Sequence, residues 1–183
     1  CNKAFQSEIL EDKKTAILSK YKLQKDYLLY VGSIEERKNL ITLLQTLKEL
    51  PEQKLVVIGN GKVYKIKCLR YIAKNNLADR VAFLSGINLA EMSAIYQNAN
   101  MLIYPSIFEG FGIPILEALF CKTVVITSKD GCFTEAGGPN TKYINPLSIQ
   151  EMKEAISKIL NSSDLQKEMQ TKGFEYAQNF RDD

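Results

Sequence analysis

Six short apolar runs alternate with helix-patterned stretches along this chain of 183 residues, and that alternation limits the fold more than any other feature. The runs fall at residues 27–32, 54–59, 80–84, 100–104, 123–127 and 143–144. Apart from polar residues at their ends, such as Lys54, Arg80 and Asn100, they are continuously apolar, as strands buried on both faces are, rather than apolar at every second residue. Between them, residues 39–50, 63–75 and 89–98, and a stretch starting at Gly112, carry apolar side chains at helical spacing. Further helices are expected at 6–21, 148–160 and 163–179. Pro51 stops one helix, and Asn88 with Glu91 three residues later reads as a capping box on another. Strand followed by helix, repeated, predicts an α/β fold: a doubly wound parallel sheet of six strands. Such sheets bind ligands beyond the carboxyl ends of their strands. No internal repeat, low-complexity tract or linker divides the chain, so residues 1–183 read as a single domain.

Composition excludes several function classes. The net charge is +3 and the basic residues are spread out, so nucleic acid is not an expected partner. The longest apolar stretch, residues 112–127, is broken by Pro114, Glu117 and Lys122 and does not make a membrane span. The polar beginning does not read as a signal peptide. Four cysteines show no paired metal-ligand spacing, and free thiols in a reducing cytosol are expected, with Cys132 a small buried filler. Histidine is absent, which removes His-based general bases, the usual Ser or Cys triads and most catalytic zinc sites. No metal or cofactor is expected.

The segment from Glu109 to Leu119 carries the chemistry. Glu109 and Glu117 stand eight residues apart, with Gly110, Phe111, Gly112, Ile113 and Pro114 between them. An apolar strand precedes the segment, and Pro114 suits the first helical position. The N–H groups of Phe111, Gly112 and Ile113 would then face whatever lies above the strand end, which makes an anion site. Glu117, one turn into the helix, is expected on the face opposite Ile115, Ala118 and Leu119, within reach of a hydroxyl beside that anion. A phosphate cradle flanked by two hydroxyl-binding acids suits a sugar nucleotide. An acid near a helix start that merely offsets the dipole fits the local pattern equally well.

The other strand-end loops are less specific. Arg37 and Lys38 stand at the entry to a helix, where the dipole disfavours cations unless an anion is near. A solvated pair of loop charges is the plainer alternative. Residues 59–62, Gly-Asn-Gly-Lys, lack the rest of a phosphate-binding loop and read as a tight turn. Gly86 and Ile87 either pack on a flat base or simply cap the next helix. Residues 128–135 form a loop of small residues leading into a short helix.

Taken together, these loops resemble the C-terminal, donor-binding domain of family 4 glycosyltransferases, the group 1 retaining enzymes of two-domain GT-B architecture. The resemblance rests on YVGSIEERKNL, VVIGNGK, VAFLSGI with EMSAIYQNANMLIYPS, the E-x7-E element in PSIFEGFGIPILEAL, TVVITSKDGCFTEAGG and YINPLS, in that order. It implies a Rossmann-like sheet, the C-terminal half of a GT-B fold. It also implies transfer of a hexose, with retention, from a nucleoside-diphosphate sugar to a saccharide or lipid-linked acceptor in polysaccharide biosynthesis. Lys38 and Arg37 would neutralise the leaving diphosphate, which the backbone of Phe111, Gly112 and Ile113 would also hold, and Gly32, Ser33 and Gly110 would belong to the substrate-binding residues. Glu109 would bind hydroxyls of the transferred sugar and Glu117 those of the ribose. Gly86 and Ile87 would line the base pocket. Many members carry an arginine where this chain has Ser33, which leaves open which cation meets which phosphate. The acceptor and a catalytic histidine would belong to an N-terminal domain that the chain lacks; beginning without Met, the chain reads as part of a larger protein, inactive by itself. A cytoplasmic bacterial protein is expected, with peripheral membrane association of the full-length enzyme. Competing readings are a non-catalytic nucleotide-sugar binding module, a sugar-nucleotide epimerase of the same fold, and a glycosidase using Glu109 and Glu117 as its acid pair.

Overall fold

The computed structural model describes residues 1–181. In chain order the elements are α1 (Glu11–Lys20), β1 (Tyr27–Val31), α2 (Leu40–Lys48), β2 (Leu55–Ile58), α3 (Val63–Lys74), β3 (Val81–Leu84) and α4 (Leu89–Asn98). Then follow β4 (Ala99–Tyr104), α5 (Ile113–Phe120), β5 (Val124–Ser128), α6 (Cys132–Gly137), β6 (Lys142–Ile144), α7 (Ile149–Leu160) and α8 (Ser163–Ala177). The six strands form one sheet in the order β3-β2-β1-β4-β5-β6, and every pairing is parallel. The fold class expected from the sequence is therefore the one observed.

Period two along each central strand divides the core between the two faces. On one face Leu28, Tyr30, Met101 and Ile103 meet α2, α3 and α7. On the other Tyr27, Leu29, Leu102 and Tyr104 meet α4, α5 and α6. The strand β3 departs from the expectation of strands buried on both faces. It is one edge of the sheet, and all four of its residues are only half-buried; at the other edge, β6 exposes Lys142.

The beginning of the chain also differs. Instead of a helix over 6–21, a 3-10 turn at Lys3–Phe5 is followed by a non-helical stretch, and α1 starts only at Glu11. Phe5 is buried edge-on against Tyr96, and the Gln97 side chain bonds both Ile9 N (3.1 Å) and Ser7 O (2.9 Å). Packing and hydrogen bonds to α4 thus outweigh local helical preference there. Further along, α1 docks on α4 through Glu91, whose carboxylate takes Lys20 Nζ and Tyr21 Oη (2.7 Å) while it closes the capping box with Asn88. Those bonds hold Glu91 down at about 2. Among the described residues no helix is long and apolar enough to cross a membrane.

The direction of winding reverses between β1 and β4, so their carboxyl-end loops diverge from the middle of the sheet. A crevice at such a reversal is where ligands of open α/β sheets bind.

Candidate functional site

The loop after β1 approaches the loop after β4 closely. Gly59 sits so tightly against the first of them that a Cβ would lie 1.8 Å from Gly32 O. Ile34 bridges to Gly61, so the stretch 59–62 is a backbone-packing turn, as its sequence suggests. Arg37 and Lys38 close a 3-10 turn at Glu36–Lys38, immediately before α2. Asn39 follows in the left-handed conformation (φ 59°). Its Nδ2 donates to Pro105 O (3.1 Å) and Pro146 O (2.7 Å), and its Oδ1 accepts from Thr42 Oγ1. Ile107 N donates to Arg37 O at 2.8 Å. One asparagine and one backbone bond therefore lock the loops after β1, β4 and β6 together.

That clamp brings Lys38, Arg37 and Glu109 into one cluster. Lys38 is buried, with Nζ paired to Glu109 Oε1, 3.2 Å from Tyr104 Oη and over the Tyr104 ring. Arg37 is half exposed. Its Nη1 reaches Glu109 Oε2 (3.3 Å) and Phe108 O (3.2 Å), and its Nε pairs with Glu35 (3.2 Å). Burial acts to raise the Glu109 pKa. The Lys38 ammonium and the Ser106 and Tyr104 hydroxyls outweigh it and hold the carboxyl below its usual range. Ser106 Oγ itself is buried without a hydrogen-bond partner among the described residues.

Beyond Glu109 the chain turns into α5. Gly112 is the N-cap with φ 96°, a conformation side chains avoid, and Ile115 N closes back on its carbonyl at 2.9 Å. Ile113 is the first helical residue, so Pro114 stands one place later than expected. Among the described residues the N–H groups of Phe111, Gly112 and Ile113 take no partner outside the helix, and Ile113 is exposed. The Phe111 ring lies 6.0 Å from that of Phe180, which anchors the loop to the end of the chain. Gly110 is exposed, with open space where a Cβ would stand.

Glu117, one turn into α5, is half-buried and accepts a hydrogen bond from the fully buried Tyr96 Oη at 2.9 Å. Burial raises its pKa, and the Tyr96 bond only partly offsets that. Among the described residues no hydrogen bond or ion pair links Glu117 to Glu109, Arg37 or Lys38. Gly86, with φ 68°, and the half-buried Ile87 follow β3 on the same edge of the sheet. Three strand spacings, about 14 Å, separate β3 from β4, a span comparable to a nucleotide's length. Gly32 lies over Lys38, while Ser33 O accepts from Tyr30 Oη at 2.9 Å. Cys132 is not a buried filler: it opens α6 half exposed, and its Sγ donates to Glu109 O at 3.3 Å. Sequence reasoning passed over Asn39 and Tyr104. The first carried a signal, since an asparagine just before a helix readily takes the left-handed conformation.

Chemically, the cluster offers two cations, free N–H groups at a helix start and a carboxylate with depressed pKa, all on the crevice where the winding reverses. No group of three or more His, Cys, Asp or Glu able to hold a metal occurs among the described residues. Residues 11–176 match the family model described as glycosyl transferases group 1. The chain is 32% identical over 139 residues to the O-antigen chain mannosyltransferase RfbU of Salmonella typhimurium, covering 75% of this chain and 39% of that protein. The chain thus spans less than half the length of that relative. The solved C-terminal domain of the glycosyl transferase group 1 family protein LpcC from Francisella tularensis superposes with a TM-score of 0.80 at 21% identity, covering 97% of this chain and 95% of that one. Anabaena HepE, solved with UDP and glucose, superposes with a TM-score of 0.83 at 18% identity, over 93% of this chain and 48% of that one. Identities this low show the fold, and the family rests on the sequence match: this chain belongs to the glycosyl transferases group 1.

Proposed function

We propose that the chain is the donor-binding domain of a retaining hexosyltransferase that takes its sugar from a nucleoside diphosphate. The observation that carries this reading is the cluster of Lys38, Arg37 and Glu109 beside the exposed start of α5. In glycosyl transfer the leaving diphosphate gains negative charge at the transition state. Cations and N–H groups fixed at that point lower the barrier, because they need no reorganisation as the charge develops. Lys38 and Arg37 supply the charge, and Phe111, Gly112 and Ile113 supply the backbone donors. Glu109 is the acid for the sugar hydroxyls and Glu117 the acid for the ribose. Gly86 and Ile87 border the base, while Gly32, Ser33 and Gly110 leave room for the phosphates. RfbU is by name a mannosyltransferase of the O-antigen chain, and HepE was solved with UDP. These names make mannose the first sugar to test, and UDP and GDP the first nucleotides. The acceptor, a saccharide or lipid-linked saccharide, belongs in this reading to the part of the relatives that the match does not reach.

Titration calorimetry tests the reading. The chain is expected to bind one of UDP, GDP or ADP. Lys38→Ala should weaken that binding by about 1.5–3 kcal/mol, the worth of a charge-assisted hydrogen bond, and leave the bare nucleoside's affinity unchanged. Equal weakening of nucleoside and nucleotide would remove Lys38 from the phosphate site.

A further inference from the structure

The ion pairs of the cluster give Glu109 a second task. Arg37 and Lys38 face Glu35 and Glu109, two cations against two carboxylates, so the cluster has no net charge of its own. A diphosphate arriving there brings at least two negative charges to nitrogen atoms that already hold a carboxylate. We propose that Glu109 is the counter-ion that the donor's diphosphate displaces from Lys38, and that this exchange releases its carboxylate for the sugar. The proposal rests on the donor-site reading above.

The geometry says which partner moves. Lys38 has three N–H donors. One goes to Tyr104 Oη on β4, a group that is 2% exposed and cannot leave. Another goes to Glu109, whose next residue, Gly110, stands in open space. The ammonium therefore stays on Tyr104, its positioning residue, while the carboxylate rotates away. The backbone at Glu109 stays in place, because Cys132 Sγ holds the Glu109 carbonyl and Arg37 holds that of Phe108. The motion required is a side-chain rotation, not a loop opening. Such an exchange couples two events. Phosphates that take Lys38 hand Glu109 to the sugar, and when the diphosphate leaves, Glu109 returns to the cation. Coupling of this kind is reciprocal, so a sugar without its diphosphate gains little from Glu109.

Calorimetry on this chain with UDP, GDP, uridine and guanosine, at one salt concentration, decides the matter. Glu109→Gln is expected to tighten binding of the favoured diphosphate about threefold to tenfold, the size of a partly buried charge pair, and to leave the nucleoside's affinity unchanged. Should the Gln variant fail to fold, Glu109→Asp, with its shorter arm, gives the same sign at smaller size. Tyr104→Phe keeps the ring and loses the hydroxyl, and is expected to weaken the diphosphate alone. Unchanged or weaker diphosphate binding in the Glu109 variants overturns the counter-ion role. A silent Tyr104→Phe overturns the positioning role. If the wild-type chain and all variants bind neither diphosphate, the donor-site reading itself fails, and the proposal with it.

Discussion

Two glutamates of one short motif have opposite electrostatic surroundings. The Lys38 ammonium and the Ser106 and Tyr104 hydroxyls hold Glu109 below the usual carboxylate range, whereas burial, only partly offset by the Tyr96 hydroxyl, pushes Glu117 above it. The difference makes a pH prediction. Burial raises the Glu117 pKa above 4.5, so the folded chain holds this proton more tightly than the unfolded chain does. Stability at this residue therefore falls as pH rises from 4.5 through the raised folded value, and returns on acidification. Glu117→Gln keeps an acceptor for Tyr96 Oη and removes the cost of a buried charge. The variant is expected to melt above the wild type at neutral pH, with the gap closing toward pH 4. It should also bind the nucleoside diphosphate more weakly, by about 1.5–3 kcal/mol, if the carboxylate accepts from ribose hydroxyls. A lower melting temperature at pH 7 would show that the carboxylate is ionised and stabilising where it stands.

The residues of this pair were legible in the sequence because the strand–loop–helix grammar around them is local. Their partners were not. Lys38 meets Glu109 across 71 residues of chain, and Tyr96 meets Glu117 across 21, through contacts that only the packed sheet creates. Helical periodicity put Glu117 opposite the apolar face of its helix, but it gave no sign of the buried Tyr96 hydroxyl on α4 that bonds its carboxylate.

Among the elements, the loop after β1 is the one whose shape the site depends on. Asn39 ends a 3-10 turn and begins α2 at the same time, which requires φ near 60°, and its side chain reaches both neighbouring loops. Asn39→Ala should cost about 2–4 kcal/mol, combining left-handed strain with the loss of three side-chain hydrogen bonds. Asn39→Gly keeps the backbone conformation and loses only the bonds, so it should cost about 1 kcal/mol less. Urea denaturation of both variants separates the two contributions, and equal loss would show that strain plays no part. The same comparison explains what sequence reading reached at this scale. It found the strands of the sheet because their apolar runs are continuous. It overextended the first helix because Phe5 and Gln97 tie residues 5–9 to α4 through contacts that charge and periodicity cannot reveal.

At the scale of the whole molecule, every loop assigned to the donor lies on one edge of the sheet, because all six strands are parallel and all carboxyl ends point the same way. That edge also carries exposed apolar residues: Val63 after β2, Leu89 after β3, Ile107 and Phe108 after β4, and Leu147 after β6. The described residues hold no second sheet that could face this edge, and the chain spans 39% of RfbU. Transfer needs an acceptor hydroxyl held within about 3–3.5 Å of the sugar, with a group to receive its proton. The chain has no histidine, and the carboxylates at this site are engaged with Lys38, Arg37 and Tyr96. The expected outcome is that the purified chain binds a nucleoside diphosphate, and that added salt weakens this binding by screening the half-exposed Arg37. With a radiolabelled nucleotide sugar and a saccharide acceptor, it should transfer no label. The same assay on a protein that extends this chain to the length of its relatives should restore transfer. Labelled product from the 183-residue chain alone would place acceptor binding and proton transfer within these loops, and would require a second role for Glu109 or Glu117.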